Sequence, residues 1–202
     1  MIGLVFATAM EAAPSMAFLE ETSLRHRSMG DTLHVYDFSG ASMALSVVGM
    51  GKPAAARGAR ELIRRAHPTI LVNLGIAGGL TSDAIIGEIY RVRNAVDWPH
   101  APSSPIAFDA HGGEQLPGLD LVTSDEPIFD SRLRQELSRY GQMVDMEGSA
   151  VAAVAMDANL PCVAIKAISD AAKEGHRETL RKNLNEACEK LARLVAQMRF
   201  GG

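Results

Sequence analysis

The hydrophobic positions of this chain alternate between two periods. Ile2 to Ala7 is a continuous apolar run of strand length, and Ala9 to Leu19 follows with helical spacing at Met10, Met16 and Leu19. Leu33 to Phe38 and Met43 to Val48 read as two strands joined by a Ser-Gly turn, which predicts a hairpin. Beyond GMGKP, Ala54 to Ala66 is predicted as a helix with Ala55, Ala59, Leu62 and Ile63 on one face. Arg57, Arg60, Arg64 and Arg65 decorate the other, a face expected to be solvated. Thr69 to Leu74 is a buried strand, and the GIAGGL that follows reads as a glycine-rich turn able to approach a ligand closely.

Ile89 to Ala95 predicts another strand. Asp97 to Gly118 then loses all periodicity and turns rich in Pro, Gly, Ser and His, predicting a long loop or lid, with Trp98 and Ile106 as candidates for apolar surface. Leu119 to Thr123 is a short strand, Ser131 to Tyr140 a helix, Gly148 to Ala158 a small-residue helix and Cys162 to Ala167 a strand. Glu178 to Met198 closes the chain as a helix with Leu180, Leu184, Ala187, Leu191, Leu194, Val195 and Met198 on one stripe. No internal repeat is evident. Strands alternating with helices, plus an early hairpin, argue an α/β fold, a three-layer α/β/α sandwich around a central twisted mixed β-sheet, formed by residues 1–202 as a single domain.

Composition narrows the function. A net charge of −4 supplies no basic field, so nucleic acid and anionic membranes are not expected partners. No stretch reaches the ~18 apolar residues of a membrane span, and the apolar start lacks a cationic leader, so a cytoplasmic location is expected. Cys162 and Cys188 fit neither a disulfide framework nor a metal cluster and read as reduced core residues. His26, His34, His67, His100, His111 and His176 show no ligand spacing, so neither a metal nor another cofactor is expected. There is no Gly-x-Ser-x-Gly elbow, no Rossmann fingerprint and no P-loop.

What stands out is three acids, each where a strand-like run hands over to a helix-like one: Glu11 in ATAMEAAP, Glu147 in VDMEGSAVAAV and Asp170 in AIKAISD. In open α/β sheets ligands bind at strand ends, so the three could converge on one small molecule. Each alone has a structural explanation. Glu11 and Glu147 sit where a negative charge offsets a helix dipole, and Asp170 follows Ser169 as a capping pair. That explanation is weakest for Glu147, which is flanked by Met146 and small residues; a buried acid needs partners, and a sugar diol is one.

At these residues the chain resembles the nucleoside phosphorylase/nucleosidase superfamily, and within it the methylthioadenosine/S-adenosylhomocysteine nucleosidases. The resemblance runs through ATAMEAAP, VVGMGKPAAA, NLGIAGGL, TSDEPIF, VDMEGSAVA and AISDAA. It implies a phosphorylase/hydrolase-like fold, usually a homodimer, with a purine nucleoside as small-molecule substrate. It also implies roles: Glu11 orients the attacking water, Met146 and Glu147 bind the ribose hydroxyls, and Asp170, beside Ser169, hydrogen-bonds purine N7. Ala77 and Gly78 line the sugar and nucleophile site, Met50 lies beside the ribose, and the Ile128 backbone reads the base edge.

The implied reaction breaks an N-ribosidic bond through a cationic, oxocarbenium-like transition state. Such a reaction needs an acid for the leaving base, negative charge near the sugar and a polarised nucleophile on the opposite face. Phosphorolysis would need cations, usually arginines. ATAMEAAP has none, and Asn73 and Leu74 stand where phosphorylases commonly place theirs, which favours water over phosphate. Lys52 in GMGKP is a candidate anion ligand, although a lysine at a helix start reads first as solvated or structural. Pro127 stands near where the nucleosidases carry an adenine-stacking phenylalanine, with Phe129 two residues on. The stretch between the Ile89 and Leu119 strands is shorter than theirs, and Thr8, Glu11 and Pro14 form a TxxExxP arrangement similar to that of futalosine hydrolases. The base and the 5′ substituent therefore stay open, with a phosphorylase and a non-catalytic nucleoside-binding relative as alternatives.

Overall fold

The computed structural model describes residues 1–99, 105–109, 113–171 and 177–198; His100, His111 and His176 lie outside them, as do the side chains of residues 177–182, Leu180 among them. The first apolar run becomes β1 (Ile2–Phe6), a central strand paired in parallel on both edges, with β4 (Ala41–Val47) and β5 (Ile70–Gly79). Burial on both faces is what its unbroken apolar character demands, and Leu4, Val5 and Phe6 are fully buried. The hairpin forms as β3 (Leu33–Phe38) against β4, and β2 (Arg25–Ser28) adds outside it as an exposed edge. The sheet is mixed, in the order β10-β6-β8-β9-β5-β1-β4-β3-β2. Its further members are β6 (Ile89–Asp97), β8 (Gly118–Thr123), β9 (Met143–Asp145) and β10 (Cys162–Asp170), with the short β7 (Ile106–Ala107) beside β6.

Helices cover both faces. On one side, Ala12 and Leu19 of α1 (Ala9–Thr22) and Ala187, Leu191, Leu194 and Val195 of α5 (Arg177–Met198) pack on Leu4, Phe6, Val72, Leu74, Val163 and Ile165. On the other, Ala55, Ala59 and Leu62 of α2 (Lys52–Ala66) and Val151, Ala152 and Ala155 of α4 (Gly148–Asp157) pack on Val5, Leu71 and Cys162. Arg57, Arg60 and Arg64 face solvent, as the amphipathic pattern of α2 requires. The short α3 (Ser131–Leu137), capped by Asp130, lies over Leu80 and Val122. Among the described residues no helix is long and apolar enough to cross a membrane.

Two readings of the sequence are corrected. GIAGGL is not a turn: Gly75 to Gly79 continue β5, pairing with β10 from Lys166↔Gly75 to Asp170↔Gly78 and with β9 at Gly78↔Val144 and Gly79↔Met143. Small residues are needed because neighbours press on this stretch; a Cβ at Gly79 would stand 2.9 Å from the Ala84 carbonyl. The 97–118 stretch is also more ordered than its composition suggests where it is described. Ile106 and Ala107 pair with β6, the Asp109 amide donates to the Cys162 carbonyl, and Leu116 packs on the core. Trp98 and Ile106 turn partly inward, Trp98 against Tyr140 and Ile106 against the α2–α4 core, rather than forming surface.

The sequence pattern does not foretell closure. β10 pairs in parallel with β5 and antiparallel with β6, so β5, β10, β6, β8 and β9 curl into a closed set. Ala77, Val92, Leu121, Met143, Ala164 and Ile168, drawn from all five, pack together. This curl brings the C-terminal end of β5 beside the ends of β9 and β10, where two of the three acids stand.

Candidate active site

A cleft of about 420 Å³ opens at these strand ends, within the usual range for small-ligand sites. Glu11, Glu147 and Asp170 line it, together with Met50, Ala77, Gly78, Ile128, Met146 and Ser169, so the structure brings every residue to which the resemblance gives a role into one cleft, while Lys52, Asn73 and Leu74 lie outside its lining. All three acids are buried, between 5% and 8% exposed.

Glu11 combines both explanations offered for it. Thr8 caps α1, accepting from the Glu11 amide at 3.2 Å, and Glu11 returns the bond: Oε2 accepts from the Thr8 amide and hydroxyl, each at 2.8 Å. Oε1 reaches across to the Ile76 amide at 3.1 Å. The carboxylate thus joins α1 to β5, lying over Gly75, where a Cβ would sit 3.0 Å from Oε1 and 3.5 Å from Lys166 Nζ. The lack of a side chain at Gly75 leaves room for the acid and the amine to approach.

Glu147 occupies the N-cap position of α4 yet caps nothing. Its Oε1 instead accepts from the Gly51 amide at 2.7 Å, a bond between residues 96 apart in sequence. Gly51 has φ +86°, a conformation costly for any other residue, and this turns its N–H toward the acid. Burial pushes the Glu147 carboxyl up to about 7; the Asp145 charge adds to the rise, while Lys166 and the Gly51 N–H oppose it. Asp170 ends β10 after a register shift, and its Oδ2 accepts from the Ser169 hydroxyl at 2.9 Å.

Two further residues complete the site, and the sequence reading passed over both. Lys166, 2% exposed, holds Asp145 with Nζ 2.8 Å from Oδ2. Asp145 also accepts from the Thr123 hydroxyl at 2.9 Å and the Gly148 amide at 2.9 Å, and the Thr123 hydroxyl accepts from the Ser149 amide. Asp145 therefore does the helix-capping that Glu147 does not. Burial alone would pull the Lys166 amine down, but Asp145, Glu147 and Glu11 hold it above its ordinary value, and it stays a cation. The signal for Lys166 was legible: one lysine at the centre of a strand whose nine residues are all buried.

A mixed α/β sheet that collects carboxylates around a strand-end cleft defines a small-molecule site. The family model described as the phosphorylase superfamily matches residues 1–139 and 121–198, and the chain belongs to that superfamily. A 5′-methylthioadenosine/S-adenosylhomocysteine nucleosidase of Glaesserella parasuis is 26% identical over 227 aligned positions, covering 98% of this chain and 97% of that protein. Among solved structures, a Helicobacter pylori nucleosidase of the same description superposes with TM-score 0.88 at 18% identity, covering 98% of this chain and 97% of that one. The futalosine hydrolase of H. pylori gives 0.87 at 19%, covering 98% of this chain and 96% of that one. These two structures share the fold.

Proposed function

We propose that the protein hydrolyses the N-ribosidic bond of a purine nucleoside, releasing free base and a ribosyl product. The observation that carries this over phosphorolysis is the charge at the floor of the cleft. Glu11, Asp145 and Glu147 surround one ammonium, Lys166, which Asp145 already holds at 2.8 Å. Among the described residues, none that lines the cleft is a lysine or arginine. A phosphate dianion would face uncompensated carboxylates, whereas neutral water meets only hydrogen-bond acceptors.

In this reading Glu11 polarises the water, its carboxylate held in place by Thr8 and the Ile76 amide. Glu147, ionised, accepts the ribose hydroxyls and places negative charge near the developing oxocarbenium ion. Asp170, aided by Ser169, gives a proton toward N7 as the base departs. Met50 and Met146 flank the sugar, Ala77 and Gly78 shape the nucleophile side, and the Ile128 backbone meets the base. Elsewhere the cleft is lined by Met10, Ile76, Phe129 and Leu184, with Glu126 at its edge. That lining favours an uncharged, apolar 5′ substituent such as methylthio over one that carries an anion. The names of the relatives support this substrate class. Met10 and Met50, 59% and 69% exposed beside the cleft, support a homodimer in which a partner covers them; a cytoplasmic, single-domain enzyme fits two buried free cysteines and one continuous sheet.

The test is base release from methylthioadenosine, inosine and futalosine, each with and without inorganic phosphate. Methylthioadenosine is expected to be cleaved fastest, at a rate phosphate does not change. Activity only with phosphate would make the protein a phosphorylase. Nucleoside binding without turnover of any of the three would make it a binding protein.

A further inference from the structure

The start of α2 carries two neighbouring residues that hold different parts of the cleft. Gly51 gives its N–H to Glu147 at 2.7 Å. Lys52, whose side chain is 12% exposed, points its ammonium at three acceptors: the Asp97 carboxylate, the Trp98 carbonyl at 2.5 Å and Asp125 Oδ1 at 2.8 Å. An ammonium has three N–H donors, so all are used. Asp97 finishes β6, and Trp98, the residue after it, is tied to β8 through its amide on the Thr123 carbonyl. Asp125 opens the segment whose next four residues, Glu126 to Phe129, line the cleft.

Stability alone is a poor account of this arrangement. Asp125 is 55% exposed, and an ion pair with so exposed a partner contributes little to folding. Burial pulls the Lys52 amine down, but Asp125 and Asp97 outweigh it and keep the amine charged. What the network does fix is geometry, because one peptide step separates the donor that touches Glu147 from the side chain that anchors the 124–129 segment.

We propose that Lys52 is a positioning residue: by tying Asp97, Trp98 and Asp125 to the residue after Gly51, it sets together the contact of Gly51 with Glu147 and the place of the Glu126–Phe129 wall. The kinetic part of this inference rests on the nucleosidase reading; the geometric part does not.

The experiment follows the Gly51 amide of ¹⁵N-labelled protein by NMR across pH. In the wild type its shift is expected to titrate with Glu147, near pH 7, in the field of Asp145, Lys166 and Glu11. In Lys52→Met the Gly51 bond loosens. Because that bond favours the charged form of Glu147, its loss moves the midpoint upward. In the same variant kcat/KM at pH 7 for the nucleoside that the wild type cleaves is expected to fall about tenfold, with KM rising as the Glu126–Phe129 wall shifts and kcat falling as less Glu147 is ionised. Asp125→Asn, at an exposed site, should move both readouts the same way by less, and it decides the matter if Lys52→Met does not fold. Folded variants with a wild-type Gly51 midpoint and wild-type KM, differing only in melting temperature, would overturn the proposal. An inert wild type would overturn the nucleosidase reading instead and leave the Gly51 titration to judge Lys52.

Discussion

Lys166→Met is expected to lose ~3–5 kcal/mol of folding free energy, although methionine fills nearly the same volume, because it removes one partner of a fully buried ion pair. Asp145, 1% exposed on its side chain, would keep two neutral donors but lose the one cation that pairs with it among the described residues, with Glu147 and Glu11 close by. The deficit should depend on pH. Glu147 already has its carboxyl raised to about 7 against Lys166, so removing the lysine raises it further. A carboxyl whose folded-state value lies above its unfolded one binds its proton more tightly in the folded protein. The variant is therefore least handicapped below the ordinary carboxylate range and loses ground as pH rises through 7. Urea unfolding at pH 5.5 and pH 8 measures this: a larger deficit at pH 8 is expected, and a variant within about 1 kcal/mol of wild type at both would show that Lys166 does not balance the acids.

Glu11→Gln is expected to lower kcat by about 10²–10⁴-fold, the usual worth of a general base, with a much smaller change in KM. The substitution also has a structural cost. Both carboxylate oxygens accept hydrogen bonds, Oε2 from Thr8 and Oε1 from Ile76, and a glutamine can accept at only one end. If its oxygen stays with Thr8, its NH₂ faces the Ile76 amide, leaving a buried donor unmet at about 1–3 kcal/mol. Activity should therefore be compared at equal folded fraction, from a thermal melt run beside the assay. A folded Glu11→Gln protein within about threefold of wild-type kcat would remove Glu11 from the chemistry and leave it only as the α1 cap.

Some of this architecture is legible in the chain and some is not, for identifiable reasons. β1, α2 and α5 announce themselves because burial on two faces or one stripe leaves an unmistakable apolar pattern. The Gly75–Gly79 half of β5 does not, since glycine carries no side chain to display a period, and its conformation comes from the β10 and β9 neighbours. β2 is an all-polar exposed edge and β9 only three residues long; neither leaves a hydrophobic signature. The three acids could be picked out by their position at strand ends. Asp145 was hidden by its proximity to Glu147: helix-end reasoning placed the dipole-offsetting charge on Glu147, whereas the side chain that accepts from the first amide of α4 is that of Asp145. That Lys166 meets Asp145 and stands near Glu11 follows from the closed pairing of β5, β10, β6, β8 and β9, a long-range outcome that no local pattern encodes.

The central claim, that water and not phosphate attacks the sugar, is tested most directly by following oxygen. Methylthioadenosine turned over in H₂¹⁸O with phosphate present should give free adenine and a free methylthioribose carrying one ¹⁸O, seen by mass spectrometry as a gain of two mass units. A phosphorylated sugar without the label would contradict the account.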